Sequence, residues 1–342
     1  MKNEKTFKIL SIDGGGIKGL YSARILEEFE KKFNCKTSDH FDMICGTSTG
    51  GLISLALTSK ISAEDICQFY ETNGKTIFPK HKVFKLPFLG KINKGVLKQI
   101  ASGGKYSNNG LKDSLQKIFG DKKIKDANNL LCIPSYSITE AKPKVFKFDH
   151  FEGKMSRDND ARMVDIALAT SAAPTYLPMA ELPFFNNEQF IDGGVWANNP
   201  TLVGLLEALD HFVGTDKDYD QIKILSLSSL SITGGKKTGI KNERSFIDWK
   251  SELFETSMNG QSFFTNFFLT KVKKITDIKI DYTRIPSAPV AKEQESIIQL
   301  DIANENVYDL MKIKANEQAL IFEKKDEIKY FFTTYKTYKT NG

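Results

Sequence analysis

The sequence predicts an α/β fold built on a largely parallel β-sheet, because two strand–turn–helix units follow each other near the start of the chain. Residues 7–12 form an apolar run that predicts a buried strand, and apolar residues then recur at helical spacing over positions 20–33. A second unit has a strand over 41–45, a turn over 46–51 and a helix over 52–58. Strands that alternate with helices are typical of a parallel sheet.

The same alternation continues further along the chain. The predicted elements are an ordered segment over 130–138, a helix over 164–173 ended by Pro174, a strand over 189–191, a helix that starts at Asn199 and Pro200, and a last core strand over 222–227. Beyond Gly234 and Gly235 the pattern becomes mainly helical and ends in an amphipathic stretch over 306–332.

The composition is that of a soluble globular protein. Hydrophobic residues make up 40% of the 342 residues and charged residues 26%, so we expect a sizeable core and no extensive disorder. The length suits one large domain with additions, or two domains of moderate size. The formal net charge of +6 is modest and does not indicate a nucleic-acid polymer as a partner.

Cysteine spacing and the first residues exclude several classes of protein. Cys35, Cys45, Cys67 and Cys132 contain no C-x-x-C pair, so neither a zinc site nor a disulfide framework is predicted. The first strand begins by position 7, which leaves no room for a signal peptide, and no window approaches the roughly 20 apolar residues of a spanning helix. We expect reduced thiols, a cytoplasmic location and only peripheral contact with the inner face of a membrane.

The first glycine turn admits two interpretations. Gly14, Gly16 and Gly19 fit the G-x-G-x-x-G pattern of dinucleotide-binding proteins. That pattern requires an acidic residue at the end of the second strand, but the second strand here ends in Cys45. A phosphate-binding loop would need Lys and then Ser or Thr after the last glycine, where Leu20 stands. The sequence therefore lacks the residues that either kind of nucleotide site requires next to its glycines. Nucleotide binding is kept only as an alternative.

The second turn has the pattern of a nucleophile elbow. Gly46-x-Ser48-x-Gly50 lies between a predicted strand and a predicted helix, where small neighbours let the backbone turn sharply and hold the Ser hydroxyl clear of the sheet. We predict that Ser48 attacks an acyl carbonyl and that backbone N–H groups stabilise the resulting oxyanion by about 3 to 4 kcal/mol each. The predicted donors lie in the first glycine turn and at the start of the helix: Gly14, Gly15, Gly16 and Thr49.

A carboxylate is the predicted base. Asp192 ends a predicted strand beside Gly193 and Gly194. Burial raises the proton affinity of a carboxylate toward neutral pH, so a direct Ser48–Asp192 dyad is chemically coherent. None of the four histidines lies in a motif: His40, His81, His150 and His211.

Four motifs together resemble the patatin-like phospholipase family. In chain order they are Asp13-Gly14-Gly15-Gly16-Ile17-Lys18-Gly19, Gly46-Thr47-Ser48-Thr49-Gly50-Gly51, Ala169-Thr170-Ser171-Ala172-Ala173-Pro174 and Asp192-Gly193-Gly194. The resemblance covers about residues 7–208. It implies a three-layer α/β/α fold with a mainly parallel central sheet, lipid acyl hydrolase activity, a Ser48–Asp192 dyad without histidine, and an oxyanion hole at the first glycine turn.

The resemblance also implies supporting residues and boundaries. Lys18 stands where the family commonly has Arg or Lys. The remaining motif residues are Gly19, Gly46, Gly50, Gly193 and Gly194. We predict a catalytic domain over 7–208, and a region over 209–342 that completes the core sheet and is mostly helical. We expect neither a metal nor a cofactor.

The implied function is a phospholipase that cleaves fatty-acyl esters of membrane phospholipids through an acyl-enzyme intermediate. The chain length and the lack of a signal peptide also resemble bacterial patatin-like effectors that cyclic nucleotides activate in antiphage defence, which implies a cyclic nucleotide as activator. Housekeeping lipases share these features. An acyltransferase with the same dyad and a non-catalytic nucleotide-binding or interaction module stay open, as does a homo-oligomer.

Two segments combine aromatic and basic residues. Residues 72–112 contain nine Lys and no Asp or Glu, which fits either an anionic membrane surface or a solvated basic face. In the second segment, Phe263, Phe264, Phe267 and Phe268 precede Lys271, Lys273 and Lys274. The helical spacing of these four Phe residues favours a core position or a dimer contact over a lipid anchor.

Overall fold

The computed structural model describes residues 4–79, 83–86, 90–93, 105–231 and 252–340, together with positions 235, 238, 239, 242, 243 and 249. Its strands are β1 (Thr6–Ile12), β2 (Met43–Gly46), β3 (Val83–Leu86), β4 (Gly90–Asn93), β5 (Leu130–Ser137), β6 (Lys142–Lys147), β7 (Ala180–Leu182), β8 (Glu188–Asp192), β9 (Gln221–Leu227) and β10 (Lys279–Ile285).

The α-helices are α1 (Gly19–Phe33), α2 (Thr49–Thr58), α3 (Ala63–Ile77), α4 (Asn108–Phe119), α5 (Met163–Ser171), α6 (Gly194–Ala197), α7 (Thr201–His211), α8 (Glu252–Lys271), α9 (Glu305–Phe322) and α10 (Asp326–Thr333). Short 3-10 helices cover Gly16–Lys18, Thr37–Asp39, Ile124–Asp126, Pro183–Phe185, Val272–Lys274 and Lys292–Ile297.

The central sheet is mainly parallel, which confirms the predicted fold class. Strands β10, β9, β1, β2 and β5 are neighbours in that order, and each neighbouring pair is parallel. Strands β6 and β8 are antiparallel to β5, and β7 is antiparallel to β8. Strands β3 and β4 form a separate antiparallel pair.

Strands β2 and β8 share one edge of β5. Ser135 of β5 pairs with Lys144 of β6 and with Asp192 of β8, so these two strands lie on opposite edges of β5. Cys132 likewise pairs with β6 and with Cys45 of β2. Because β2 is parallel and β8 antiparallel to β5, the carboxyl ends of β2 and β8 point toward each other across the short gap between them.

Helices cover both faces of the sheet, as the three-layer prediction requires. On one face α7 packs on β1, β2 and β9, and the Thr201 hydroxyl donates to Ser11 Oγ at 2.8 Å. Lys8, whose side chain points to the other face, reaches the backbone at the end of α10, and α10 packs on α1. Helix α2 packs on β1, β2 and β5, and α1 contacts α2, α3 and α9.

The sheet continues beyond the strand that the sequence analysis places last. Strand β10 pairs in parallel with the whole length of β9. Its residues are mostly half-buried, as expected of an edge strand with one neighbour. Polar and apolar residues alternate over 279–283, but the sequence analysis describes this part of the chain as mainly helical and places no strand there.

The second aromatic segment differs from its prediction. Phe263, Phe264 and Phe267 are exposed on α8, and only Phe268 packs against the core. The core position is therefore wrong for three of the four residues, and the dimer contact stays a prediction. The lysine-rich segment 72–112 begins in α3, contains β3 and β4 and ends in α4, and its residues 80–82, 87–89 and 94–104 lie outside the described residues. Among the helices that the structure describes, none has the length and apolar character needed to span a bilayer.

Candidate active site

Ser48 occupies a sharp turn between β2 and α2. Its backbone has φ 54° and ψ −122°, a conformation that non-glycine residues rarely adopt. The turn requires close approach of neighbouring backbone. A Cβ on Gly46 would lie 2.1 Å from the Gly50 carbonyl oxygen, and a Cβ on Gly50 would lie 2.2 Å from the Ile12 carbonyl oxygen. The two glycines around Ser48 are therefore required by the geometry of the elbow.

Side-chain hydrogen bonds hold the elbow in place. The Ser48 N–H donates to Thr170 Oγ1 at 2.9 Å, and the Thr170 hydroxyl donates to the Pro134 carbonyl at 2.6 Å. The Thr47 hydroxyl donates to the Ala197 carbonyl at 2.6 Å. Thr170 lies in the third family motif, but the sequence analysis assigns it no role. Its hydrogen-bond partners Pro134 and Ser48 lie 36 and 122 residues away in the chain, so no local pattern reveals them.

Asp192 lies at the carboxyl end of β8 and is 1% exposed. Its Oδ1 accepts a hydrogen bond from the Gly194 N–H at 2.7 Å, and its carboxylate lines the same pocket as Ser48. Burial raises the pKa of Asp192 to about 7, against the opposing effects of the nearby Ser48 hydroxyl and the Gly194 N–H. The carboxylate is therefore poised to take up a proton near neutral pH.

One of the four predicted oxyanion donors uses its N–H group in another hydrogen bond. The Gly14 N–H donates to the Asn198 carbonyl at 3.0 Å, so the prediction that it binds an oxyanion is corrected. A Cβ at this position would lie 2.5 Å from Asn198 Oδ1, so a larger residue would displace the Asn198 side chain. Gly15, Gly16 and Thr49 line the pocket with Ser48, and no acceptor for their N–H groups occurs in the described part of the chain.

The other motif residues lie around this centre. A Cβ on Gly19 would lie 2.1 Å from Thr49 Oγ1, and one on Gly193 would lie 2.3 Å from the Pro134 carbonyl oxygen. Gly194 supplies the N–H that binds Asp192. Burial lowers the pKa of Lys18, and the nearby Glu255 of α8 partly offsets this effect.

The pocket at Ser48 and Asp192 is mainly apolar. Its cavity volume is about 50 Å³, which leaves room for a few water molecules. Helices α2, α3, α4 and α8 and the segment at residue 300 contribute to its walls. The apolar lining residues are Ile17, Leu52, Phe69, Tyr70, Ile77, Phe78, Leu111, Ala173, Tyr176, Leu177, Phe254, Met258 and Leu300.

The histidines of the described segments lie away from this pocket. His40 bonds through Nδ1 to the Thr334 carbonyl at 2.8 Å, and His150 bonds through Nε2 to Glu207 Oε1 at 3.0 Å. His211 lies beside the same Glu207, at 3.9 Å. His81 lies outside the described residues. Among the described residues, Asp192 is the carboxylate that lines the pocket with Ser48.

A buried ion pair that sequence reasoning misses anchors the first glycine turn. Arg284 of β10 binds both carboxylate oxygens of Asp13, at 2.6 and 3.1 Å, and also donates to Ser226 Oγ at 2.6 Å. Such a bidentate pair fixes the orientation of both groups. Asp13 belongs to the first motif, but its partner lies 271 residues away in a strand without a motif, so no local signal points to it.

The sequence of this chain matches that of a known protein family. The family model described as patatin-like phospholipase matches residues 10–205. That range contains the last residues of β1, the Ser48 elbow and Asp192.

Curated relatives extend the similarity over most of the chain. A cGAMP-activated phospholipase of Pseudomonas aeruginosa is 28% identical over 316 residues, covering 92% of this chain and 88% of the relative. A cGAMP-activated phospholipase of Escherichia coli is 26% identical over 344 residues, covering 95% and 92%. Patatin-like protein 2 of Arabidopsis thaliana is 30% identical over 340 residues, covering 89% and 80%.

Proposed function

The chain belongs to the patatin-like phospholipase family, and from that premise we propose that it hydrolyses fatty-acyl esters of membrane phospholipids with Ser48 as nucleophile and Asp192 as general base. One observation carries the assignment: the Asp192 carboxylate, buried in the same pocket as Ser48 at its strained elbow, has a pKa of about 7. A group with that pKa can accept a proton and return it at neutral pH.

The proposed reaction has two halves. Ser48 Oγ attacks the acyl carbonyl carbon while Asp192 takes the hydroxyl proton, and the N–H groups of Gly15, Gly16 and Thr49 stabilise the oxyanion. The C–O bond to the leaving alcohol breaks, and Asp192 gives that alcohol its proton. Asp192 then takes a proton from water as the water oxygen attacks the acyl carbonyl carbon. The bond between that carbon and Ser48 Oγ breaks, which releases the fatty acid, and Asp192 returns its proton to Oγ to restore the Ser48 hydroxyl.

The pocket lining supports a lipid substrate. An acyl chain gains free energy when it leaves water for an apolar cavity. The apolar walls adjoin the Ser48 hydroxyl directly, so an ester held there would place its carbonyl beside the nucleophile. The catalytic unit that we propose spans 7–208, and the region 209–342 adds β9, β10 and Arg284.

Activity should rise with pH through about 7, because only the ionised Asp192 carboxylate can accept the Ser48 proton. Below that pH, kcat/KM on a soluble short-chain ester should fall about tenfold per pH unit, and above about pH 8 it should level off. The measurement is kcat/KM at constant ionic strength over this range. A flat profile, or a loss of activity as pH rises through 7, would contradict Asp192 as base.

We also propose that a cyclic nucleotide activates the enzyme in the cytoplasm, where it acts peripherally on the inner face of the membrane as an antiphage effector. Two relatives are named cGAMP-activated phospholipases, and each aligns over nine-tenths or more of this chain. Phospholipid vesicles incubated with the protein should release fatty acid and lysophospholipid. The release should increase when the activating member of a cyclic nucleotide panel is present.

Ser48→Ala protein is the control for that experiment, and lipid mass spectrometry is the measurement. Full activity that no cyclic nucleotide changes would contradict the activation. Transfer of the acyl group to an added alcohol, without free fatty acid, would identify an acyltransferase instead. Absence of both products under all conditions would contradict the proposed function.

A further inference from the structure

Helix α8 has one face in the pocket and another in solvent. Phe254 and Met258 line the pocket with Ser48 and Asp192. On the opposite side, the side chains of Phe263, Phe264 and Phe267 are 74%, 62% and 53% exposed. Three aromatic side chains grouped in this way on a helix surface mark an interaction site.

The exposed face is also basic. Between positions 256 and 276 the sequence contains Lys271, Lys273 and Lys274 and no Asp or Glu. Lys271 Nζ lies 5.7 Å from the centre of the Phe267 ring, and Lys274 and Ile275 are exposed just beyond the helix. Aromatic groups beside lysines are the composition that suits a lipid–water interface with anionic headgroups.

We propose that Phe263, Phe264, Phe267 and Lys271, named here the α8 face, dock on a bilayer that contains anionic phospholipids. The proposal rests on the proposed function, because it identifies the surface through which that active site meets its substrate. Lysines near an anionic surface add electrostatic attraction, and the Phe side chains add burial of apolar area.

Two observations favour a lipid surface over a second copy of this chain. A symmetric dimer with the two α8 helices side by side and parallel would bring the lysines of both copies together, which is electrostatically unfavourable. The same helix supplies Phe254 and Met258 to the pocket wall, so a bilayer that covers the α8 face lies one helix diameter, about 10 Å, from the pocket.

Vesicle binding by the Ser48→Ala protein tests the proposal without hydrolysis of the vesicles. Replacing Phe263, Phe264 and Phe267 by Ser should weaken co-sedimentation with vesicles of equal parts phosphatidylglycerol and phosphatidylcholine by about tenfold or more. The matched control replaces Ile313, Leu320 and Ile321 of α9 by Ser, since these are also exposed, at 56%, 57% and 57%. The control should bind as well as the parent. Loss of binding in the α9 control, with binding retained in the triple Phe variant, would overturn the proposal.

A second variant avoids any effect of the Phe changes on folding. Lys271→Glu with Lys274→Glu should weaken binding to the anionic vesicles and leave binding to pure phosphatidylcholine vesicles unchanged, because it alters charge and keeps the aromatic groups. Unchanged binding to the anionic vesicles would contradict the proposal. A light-scattering mass that falls in the triple Phe variant, with vesicle binding intact, would instead identify the α8 face as a contact between copies.

Hydrolysis of a soluble short-chain ester separates this proposal from the proposed function. With Ser48 present, the triple Phe variant should hydrolyse that ester at the parental rate but lose activity on vesicles. Vesicle hydrolysis equal to the parent would overturn the docking surface and leave the enzyme assignment intact. Failure of the parent on both substrates would overturn the enzyme assignment, while the binding assay would still report on the α8 face.

Discussion

Ser48→Ala is expected to abolish ester hydrolysis and labelling by a fluorophosphonate. The hydroxyl is the group that the elbow holds beside a carboxylate with a pKa of about 7, and an Ala side chain offers no oxygen to acylate. The thermal transition should change little, because the Ser48 N–H keeps its bond to Thr170. Intact-mass analysis of the labelled protein and calorimetry measure the two effects.

Ser171 provides a control for this assignment because it also lines the pocket. Its Oγ is buried and has no hydrogen-bond partner among the described residues. Ser171→Ala should still take up one fluorophosphonate per chain at Ser48. Labelling of Ser171 in the wild type, with undiminished hydrolysis by Ser48→Ala, would show that the nucleophile has been misassigned.

Asp192→Asn is expected to lower turnover by about 10²-fold or more, the scale of general-base catalysis. The amide keeps the size of the carboxylate and can still accept the Gly194 N–H, but it cannot take the Ser48 proton. In the folded protein the carboxyl pKa is raised from its ordinary value of about 4, so ionisation of Asp192 costs folding free energy above that pH. Because the variant removes this cost, its thermal transition at pH 8 should be no lower than that of the wild type.

Histidine variants test the dyad against a triad. Gln at His40, His81, His150 or His211 should leave turnover within a few-fold, because a direct dyad needs no imidazole. A triad predicts that one of these changes is as damaging as Ser48→Ala. A histidine variant with a native circular dichroism spectrum and no activity would therefore refute the dyad.

Local sequence was sufficient for much of the fold. The apolar run of β1, the helical spacing of α1 and the small residues around Ser48 each act within a few residues of the chain, so periodicity and turn chemistry predict them. The outward direction of Phe263, Phe264 and Phe267 on α8 was not predicted. Helical spacing shows that residues share a face, but which face meets the core depends on the neighbours of the helix.

What the sequence by itself determined about this protein is the alternation of strands and helices, the Ser48 elbow and the motifs that identify its family. The tertiary structure alone decided that β2 and β8 meet end to end along β5, which brings Asp192 to Ser48. It also decided that the Gly14 N–H binds Asn198 rather than the pocket. Both depend on contacts between segments that are far apart in the chain. Only the assembled sheet, which satisfies its backbone groups and buries its faces, sets such contacts.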